Sequence, residues 1–109
     1  MPQPFMKGLR FIEEFRKIDP EMPLQMAATF MVVAIRKGIT MKELAETLGI
    51  SQASCSRNVA ALSKWHRLNR EGHDLIYTEE DPIERRRKIA FLTPKGKRIA
   101  ETLRALIAE

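Results

Sequence analysis

The segment from Thr40 to Arg57 restricts the fold of this chain more than any other stretch of similar length. Thr40 is a favourable N-cap, and Glu43 three residues later completes a capping-box pattern, so we expect a helix to begin directly after Thr40. Gly49 suits the left-handed position that ends a helix, and Ser51 can cap a second one. The segment therefore predicts two short helices joined by a tight turn.

The second of these helices, expected over residues 51–66, has one apolar and one polar face. Cys55, Val59 and Leu62 recur at helical spacing and form the predicted buried face. The opposite face is short, polar and almost free of carboxylates, as a helix lying in the major groove of DNA must be. Its candidate base-reading residues are Gln52, Ala53, Ser56 and Arg57.

Two kinds of DNA contact are expected near this face, and each has an alternative. The guanidinium of Arg57 can bond to both acceptors of a guanine or grip a phosphate. It can instead form a surface salt bridge with Glu43 or Glu46. Thr40 and Ser51 can contact phosphates through their hydroxyls, or they can act only as helix caps.

Charge and cysteine content narrow the class of protein. The 109 residues suit a single domain, and 19 basic against 14 acidic residues give a net charge of +5, which suits a polyanionic partner. Cys55 is the single cysteine, so no intramolecular disulfide can form and a reducing cytoplasm is expected. Cys55 can be interpreted as a redox switch, but its inward position favours an inert buried thiol. Neither a signal peptide nor a membrane span is expected.

The remaining segments extend the pair of helices to a winged helix-turn-helix. The predicted fold class is mainly α with a small β-hairpin wing and extra N-terminal and C-terminal helices. The helix that follows Pro23 is expected to face inward with Leu24, Ala27, Ala28, Met31, Val32 and Ile35. The expected elements are an N-terminal helix over 4–18, a winged core over 22–93 that includes the wing over 74–92, and a C-terminal helix over 94–108.

The hairpin and the residues after it resemble a known family. Residues 81–96, DPIERRRKIAFLTPKG, are similar to the wing and helix junction of MarR family transcription regulators, which carry an acidic-Pro-x-acidic-Arg-Arg wing and a Leu-Thr-x-x-Gly helix start. Residues 44–62, LAETLGISQASCSRNVAAL, resemble the family's recognition helix and its approach. The likeness covers about residues 22–105. It implies a recognition helix in the major groove and a wing arginine in the minor groove.

Three arginines lie at the predicted hairpin tip. Alternate side chains of a strand point in opposite directions, so Arg85 and Arg87 are expected on one face and Arg86 on the other. By position, the resemblance assigns Arg86 to the minor groove, held there by Glu84. The alternative is a solvated turn in which the arginines pair with the carboxylates of Glu79, Glu80 and Glu84.

The terminal helices predict a homodimer. An apolar stripe on the first helix has little core to cover it in so small a protein, and an exposed stripe favours self-association. MarR family proteins are expected to use N-terminal and C-terminal helices for this purpose. The predicted dimer contacts are Phe5, Leu9, Ile12, Phe15, Leu103 and Ile107.

No catalytic, metal or cofactor site is expected, so the chain is not interpreted as an enzyme. It has no glycine-rich phosphate loop and no suggested nucleophile–base pair. His66 and His73 do not combine with the single cysteine in zinc-ligand spacing. MarR relatives often bind aromatic ligands beside the dimer helices, but the few aromatic residues here predict no sizeable pocket, and a small-molecule effector is not supported.

These features give one leading hypothesis and one alternative. The leading hypothesis is a sequence-specific regulator of transcription that binds double-stranded DNA as a homodimer and represses by occupying a pseudo-palindromic site. The alternative is a winged-helix protein-interaction module that recruits or blocks a transcription or replication complex. The acidic residues around the wing suit that second hypothesis, because they favour a basic protein partner.

Overall fold

The computed structural model describes residues 3–64 and 70–108. Over these residues the chain forms five α-helices and a three-stranded antiparallel sheet, which confirms the predicted mainly helical winged class. None of the helices in this described part is long and apolar enough to cross a bilayer. In chain order the elements are α1 (Pro4–Ile18), α2 (Leu24–Ile35), β1 (Ile39–Thr40), α3 (Met41–Leu48), α4 (Gln52–Leu62), β2 (Ile76–Glu80), β3 (Lys88–Leu92) and α5 (Pro94–Ala108).

Local hydrogen bonds at the ends of α3 and α4 confirm the predicted helix-turn-helix. The Glu43 N–H donates to Thr40 Oγ1 over 3.1 Å, and the Thr40 N–H donates to Glu43 Oε1 over 3.2 Å, which completes the capping box. Gly49 has a φ of 65°, a left-handed conformation that a residue without Cβ adopts at little cost. The Ser54 N–H donates to Ser51 Oγ over 3.0 Å, so Ser51 caps α4.

Helix α4 ends at Leu62, earlier than the sequence predicts. Ser63 is extended, and its N–H donates to the Ala60 carbonyl over 3.2 Å. The Leu62 carbonyl accepts the N–H of Leu75 over 2.7 Å, so the chain entering β2 supplies the partner that a further helical turn would otherwise provide. The predicted last turn, residues 65–66, lies outside the described residues.

The sheet contains a strand that the sequence analysis did not predict. Strand β1 is two residues long and pairs antiparallel with β3, where Ile39 lies opposite Ala90 and Thr40 opposite Ile89. The strand order is therefore β1-β3-β2, with β3 central. Because β1 leads directly into α3, the sheet attaches the wing to the helix-turn-helix.

Strand β2 covers residues 76–80, two residues further than the apolar and β-branched run of residues 75–78 indicates. Glu79 and Glu80 are strand residues that lie opposite Ile89 and Lys88, so the prediction that placed these carboxylates in the tip was wrong. Backbone pairing along β3 outweighs the low strand propensity of glutamate. The tip is therefore confined to residues 81–87.

The buried face of α2 differs from the predicted one. Thr29, Phe30 and Val33 are fully buried, whereas the predicted inward residues Leu24 and Ile35 are 81% and 75% exposed. Helix α2 is apolar around most of its circumference, so periodicity alone cannot select the face that packs on the sheet and α4. The prediction was wrong at Leu24 and Ile35 for that reason.

The terminal helices α1 and α5 pack against each other within one chain, and this corrects two predicted dimer contacts. Phe15 is 6% exposed, with its ring centroid 5.9 Å from that of Phe30, and Leu103 is 2% exposed. Both side chains belong to the chain's own core and are not available to a second copy. The predicted contacts that the fold leaves exposed are Phe5, Leu9, Ile12 and Ile107.

The start of α5 anchors the base of the wing. Thr93 Oγ1 accepts the Gly96 N–H over 3.0 Å, so the threonine of the Leu-Thr-x-x-Gly motif caps α5, and its hydroxyl donates to the Asp74 carbonyl over 2.7 Å. A Cβ on Gly96 would overlap the carbonyl of Leu75, so the helix can approach the strand this closely only with glycine at this position. These contacts hold both ends of the hairpin at one point.

Candidate nucleic-acid interface

The outer face of α4 presents the predicted base-reading residues together. Gln52, Ala53 and Arg57 are exposed and Ser56 is half-buried. Arg57 Nη2 donates to Ser54 Oγ on the preceding turn over 3.1 Å, which holds the guanidinium along the helix. This face is therefore short and polar, as expected.

Glu43, one of the two carboxylates expected as an alternative partner of Arg57, has a different role. Glu43 Oε2 lies 3.1 Å from Nη2 of Arg36, the residue that follows α2. Hydrogen bonds from the Thr40 hydroxyl, the Thr40 N–H and the Arg36 guanidinium hold the pKa of Glu43 below its ordinary value. Glu43 is therefore an ionised capping residue that joins α3 to the end of α2.

The capping hydroxyls at the front of the helix pair are already engaged. The Thr40 hydroxyl donates to Glu43 Oε1 over 2.8 Å, and the Ser51 hydroxyl lies 3.0 Å from Ser54 Oγ. Both residues act as helix caps, which confirms this part of their predicted role. An ionised carboxylate beside Thr40 also disfavours a phosphate at that hydroxyl.

A buried polar network orients α4, and no local pattern in the sequence indicates it. Asn58 is 9% exposed, and its Nδ2 donates to Gln25 Oε1 over 3.0 Å and lies 3.3 Å from Thr29 Oγ1. The Thr29 hydroxyl in turn donates to the Gln25 carbonyl over 2.8 Å. Because buried amides need partners, these contacts favour one rotation of α4 against α2 and so aim Gln52 and Arg57 outward.

The wing tip consists of successive tight turns. It is not the continuous strand that was expected for its arginines. The Arg87 N–H donates to the Glu84 carbonyl over 2.9 Å, so Arg85 and Arg86 are the two central residues of a turn. The Asp81 N–H donates to the Arg87 carbonyl over 2.8 Å and closes the loop. The predicted alternation of Arg85 and Arg87 against Arg86 therefore does not apply.

The ion pairs of the tip agree with the solvated-turn alternative at Glu84 and add Asp81 as a second partner of Arg87. Glu84 Oε2 lies 2.9 Å from Arg87 Nη2, and Asp81 Oδ2 lies 4.0 Å from Arg87 Nη1. The predicted support of Arg86 by Glu84 is thus replaced by a pair between Glu84 and Arg87. Arg87 closes the tip, while Arg85 and Arg86 present exposed side chains.

A basic cleft separates α4 from the wing, and we call it the wing cleft. Its volume is about 410 Å³, and it brings Gln52 of the recognition helix opposite Arg86 of the wing. Four cationic side chains and one carboxylate line it, so its potential favours an anion. The lining residues are Met41, Lys42, Gln52, Glu84, Arg86, Arg87 and Lys88.

Two lysines of the wing cleft were missing from the predicted site. Lys88 belongs to the basic run that the sequence displays after the tip, so that run gave a signal for it. Lys42 stands alone on α3 and gave none. Only the fold, which brings α3 beside the wing, identifies Lys42 as part of the same basic surface.

Cys55 lies beneath this cleft as a buried thiol. It is 1% exposed, its Sγ lies 3.7 Å from the Met41 carbonyl, and it lines an adjoining cavity of about 270 Å³ with Gln52 and Arg86. Burial raises the pKa of the Cys55 thiol, so the neutral form predominates at neutral pH. These features favour the interpretation as an inert core residue over a redox switch.

Two open apolar cavities correct the expectation that the chain has no sizeable pocket. One, of about 450 Å³, lies between α1 and α2 beside Phe11 and Met31, and the other, of about 540 Å³, lies between α2 and α5 beside Ala34 and Ile107. Methionine and aliphatic side chains form much of these walls, so a low content of aromatic residues does not exclude a pocket.

Within residues 3–64 and 70–108 no cluster of His, Cys, Asp and Glu could hold a metal ion. The expectation for His66 lies outside the described residues.

Comparisons with known proteins agree with this architecture. Residues 22–74 match the model of the MarR family. The structure is similar to a Staphylococcus aureus MepR–DNA complex, with a TM-score of 0.72 and 19% identity over 88% of this chain and 71% of that one. It is also similar to RV1404 from Mycobacterium tuberculosis, with a TM-score of 0.74 and 20% identity over 93% and 64% of the two chains.

A third similar structure is that of MarR, with a TM-score of 0.69 and 22% identity over 90% of this chain and 65% of that one. The chain thus spans between 64% and 71% of the length of these three structures. At such identities the structural likeness shows the fold. No curated protein sequence matches the chain significantly.

Proposed function

We propose that this chain, a winged-helix protein whose residues 22–74 match the model of the MarR family, is a DNA-binding regulator of transcription. The observation that carries the proposal is the arrangement around the wing cleft. A carboxylate-free helix face and a basic wing lie on its two sides, as a protein that contacts two adjacent DNA grooves requires.

In this proposal α4 lies in the major groove and the wing reaches the adjacent minor groove. Gln52, Ser56 and Arg57 supply donors and acceptors to base edges, and the methyl group of Ala53 suits the methyl group of thymine. The sugar–phosphate backbone between the two grooves then passes through the wing cleft. Arg86 lines that cleft and so meets phosphates before it meets bases.

Charge supports a nucleic-acid partner over a basic protein. Arg87 pairs with Asp81 and Glu84, which reduces the repulsion that these acids would exert on phosphates. Arg85 and Arg86 add exposed positive charge at the same tip. Glu79 and Glu80 stay exposed on β2, outside the tip, and they are the feature that favours the protein-interaction alternative.

We extend the proposal to a homodimer that represses by occupying a pseudo-palindromic site. Two copies related by a twofold axis present two recognition helices to two half-sites, and a protein bound there blocks other proteins from the same DNA. The exposed apolar residues that support association of α1 and α5 with a second copy are Phe5, Leu9, Ile12 and Ile107.

Selection from fragmented genomic DNA tests this function directly. The purified chain is incubated with duplex fragments, bound fragments are recovered and sequenced, and an R57A variant is treated in parallel. We expect an enriched motif with two half-sites for the parent chain and a weaker or altered motif for R57A. Recovery without a motif would indicate nonspecific binding, and no recovery at low salt would favour the protein-interaction alternative.

A further inference from the structure

The wing tip carries an apolar side chain in an otherwise charged loop. Ile83 is 91% exposed, more than any other large hydrophobic residue in the described ranges 3–64 and 70–108. Its tip neighbours include Asp81, Glu84 and Arg85. The basic character of the wing does not explain an isoleucine here, and neither does the core, which it does not touch.

The backbone of the tip holds Ile83 in this outward position. Asp81 Oδ1 accepts the N–H of Ile83 over 2.9 Å and lies 3.4 Å from the N–H of Glu84. Pro82 fixes the backbone φ of the residue just before Ile83. Ile83 therefore cannot turn back toward the sheet without breaking a turn that Asp81 and Arg87 also close.

We propose that Ile83 enters the minor groove as an apolar wedge and favours A·T over G·C pairs beneath the wing. This inference rests on the DNA binding proposed above and assigns specificity to a residue that makes no hydrogen bond with its side chain. Apolar side chains are known to penetrate minor grooves at the points where proteins widen or kink DNA. Arg86 lines the wing cleft, whereas Ile83 and Arg85 do not.

The chemistry of the groove floor gives the preference. An A·T pair presents only acceptors in the minor groove, whereas a G·C pair adds the 2-amino group of guanine. An isoleucine side chain pressed against that amino group displaces its water and offers no acceptor in return, which is unfavourable. Against an A·T pair the same side chain meets a flatter floor without a donor.

Duplexes that differ only in the minor-groove amino group test the wedge. Inosine–cytosine pairs keep the major-groove pattern of G·C and lack the 2-amino group, so alternating dI–dC and dG–dC duplexes isolate its effect. Binding of the parent chain, I83S and I83V to these two duplexes and to alternating dA–dT is measured by fluorescence anisotropy. The matched control is I35S, which replaces an isoleucine that is 75% exposed at the end of α2.

We expect the parent chain to bind dI–dC and dA–dT about fivefold or more tightly than dG–dC. I83V and I35S should keep that ratio, and I83S should bring it close to one. An unchanged ratio for I83S, or an equal loss on all three duplexes, would overturn the wedge while leaving DNA binding intact. Absence of binding to every duplex at low salt would instead overturn the proposed function on which the wedge depends.

Discussion

Nδ2 of Asn58 on the recognition helix lies 3.0 Å from Oε1 of Gln25 on α2, and Asn58 itself is buried between the two helices. A polar contact in such a place specifies how two helices fit together, since an alternative rotation would leave a buried amide without a partner. The residues that face DNA in our proposal are therefore oriented by one that faces away from it.

Replacement of Asn58 tests this orientation. We expect N58A to lower the free energy of unfolding by about 1–3 kcal/mol, because the hydroxyl of Thr29 loses a partner in a buried site. Urea unfolding measures the change, and Q52A on the exposed face of the same helix should alter it by less than about 0.5 kcal/mol. Equal effects of the two substitutions would show that the network does not stabilise the helix pair.

Replacement of Arg57 tests base readout. If its guanidinium bonds to both acceptors of a guanine, R57A should weaken binding to a selected duplex by about 1–3 kcal/mol. R104A removes an exposed arginine of α5 that pairs with Glu101 and does not line the wing cleft, so it should leave affinity unchanged. Anisotropy titrations at one fixed salt concentration provide the comparison, and a loss within experimental error would remove Arg57 from the readout residues.

The two lysines of the wing cleft should contribute through phosphate contacts. Each phosphate neutralised adds about 0.9 to the slope of log affinity against log salt concentration, so K42A and K88A should each lower that slope by about that amount. Their effect should be similar on all duplexes, since phosphates carry no sequence information. K17A on α1, whose lysine pairs with Glu14, is the control. A slope identical to that of the parent chain would show that these lysines do not contact the phosphates.

The exposed stripe of α1 should determine the oligomeric state. Leu9 and Ile12 are 52% and 49% exposed, and burial of both against a second copy would contribute about 25 cal/mol for each Å² covered. We expect L9Q/I12Q to be monomeric in light scattering under conditions where the parent chain and I35Q are dimeric. An unchanged mass would exclude this stripe from the interface.

Acid should weaken the junction between Thr40 and Glu43. The folded state lowers the pKa of Glu43, so its contribution to stability is present above the ordinary carboxyl pKa and is lost as pH falls through the lowered value. E43Q should therefore be less stable at neutral pH and should lose less stability between about pH 5 and pH 2. Urea midpoints across that range, with E46Q as the control, measure the difference. Parallel pH profiles for the parent chain and E43Q would contradict it.

Features specified by neighbouring residues could be predicted from the sequence. The capping box of Thr40, the left-handed Gly49 and the caps at Ser51 and Thr93 each depend on contacts within about four positions, where residue chemistry and spacing are sufficient. The family resemblance followed from the same local motifs, because the residues of the wing and helix junction are contiguous in the chain.

Features that depend on distant residues could not be predicted. Strand β1 has only two residues, and its partner Ala90 lies about fifty positions away, so no local pattern indicates it. The Asn58 amide meets Gln25 across 33 positions. Lys42 joins the wing cleft only because the sheet brings the wing back to α3. Periodicity likewise failed on α2, where apolar residues surround the helix.

Thr40 belongs to two structures at once, since it pairs with Ile89 in the sheet and caps α3 through Glu43. The sheet that carries the wing is therefore joined directly to α3, the helix that precedes the recognition helix, with no linker between them. The distance between the recognition helix and the wing is therefore fixed by the fold. The protein should accordingly tolerate changes of base sequence between its two contacts more readily than a change in the number of base pairs.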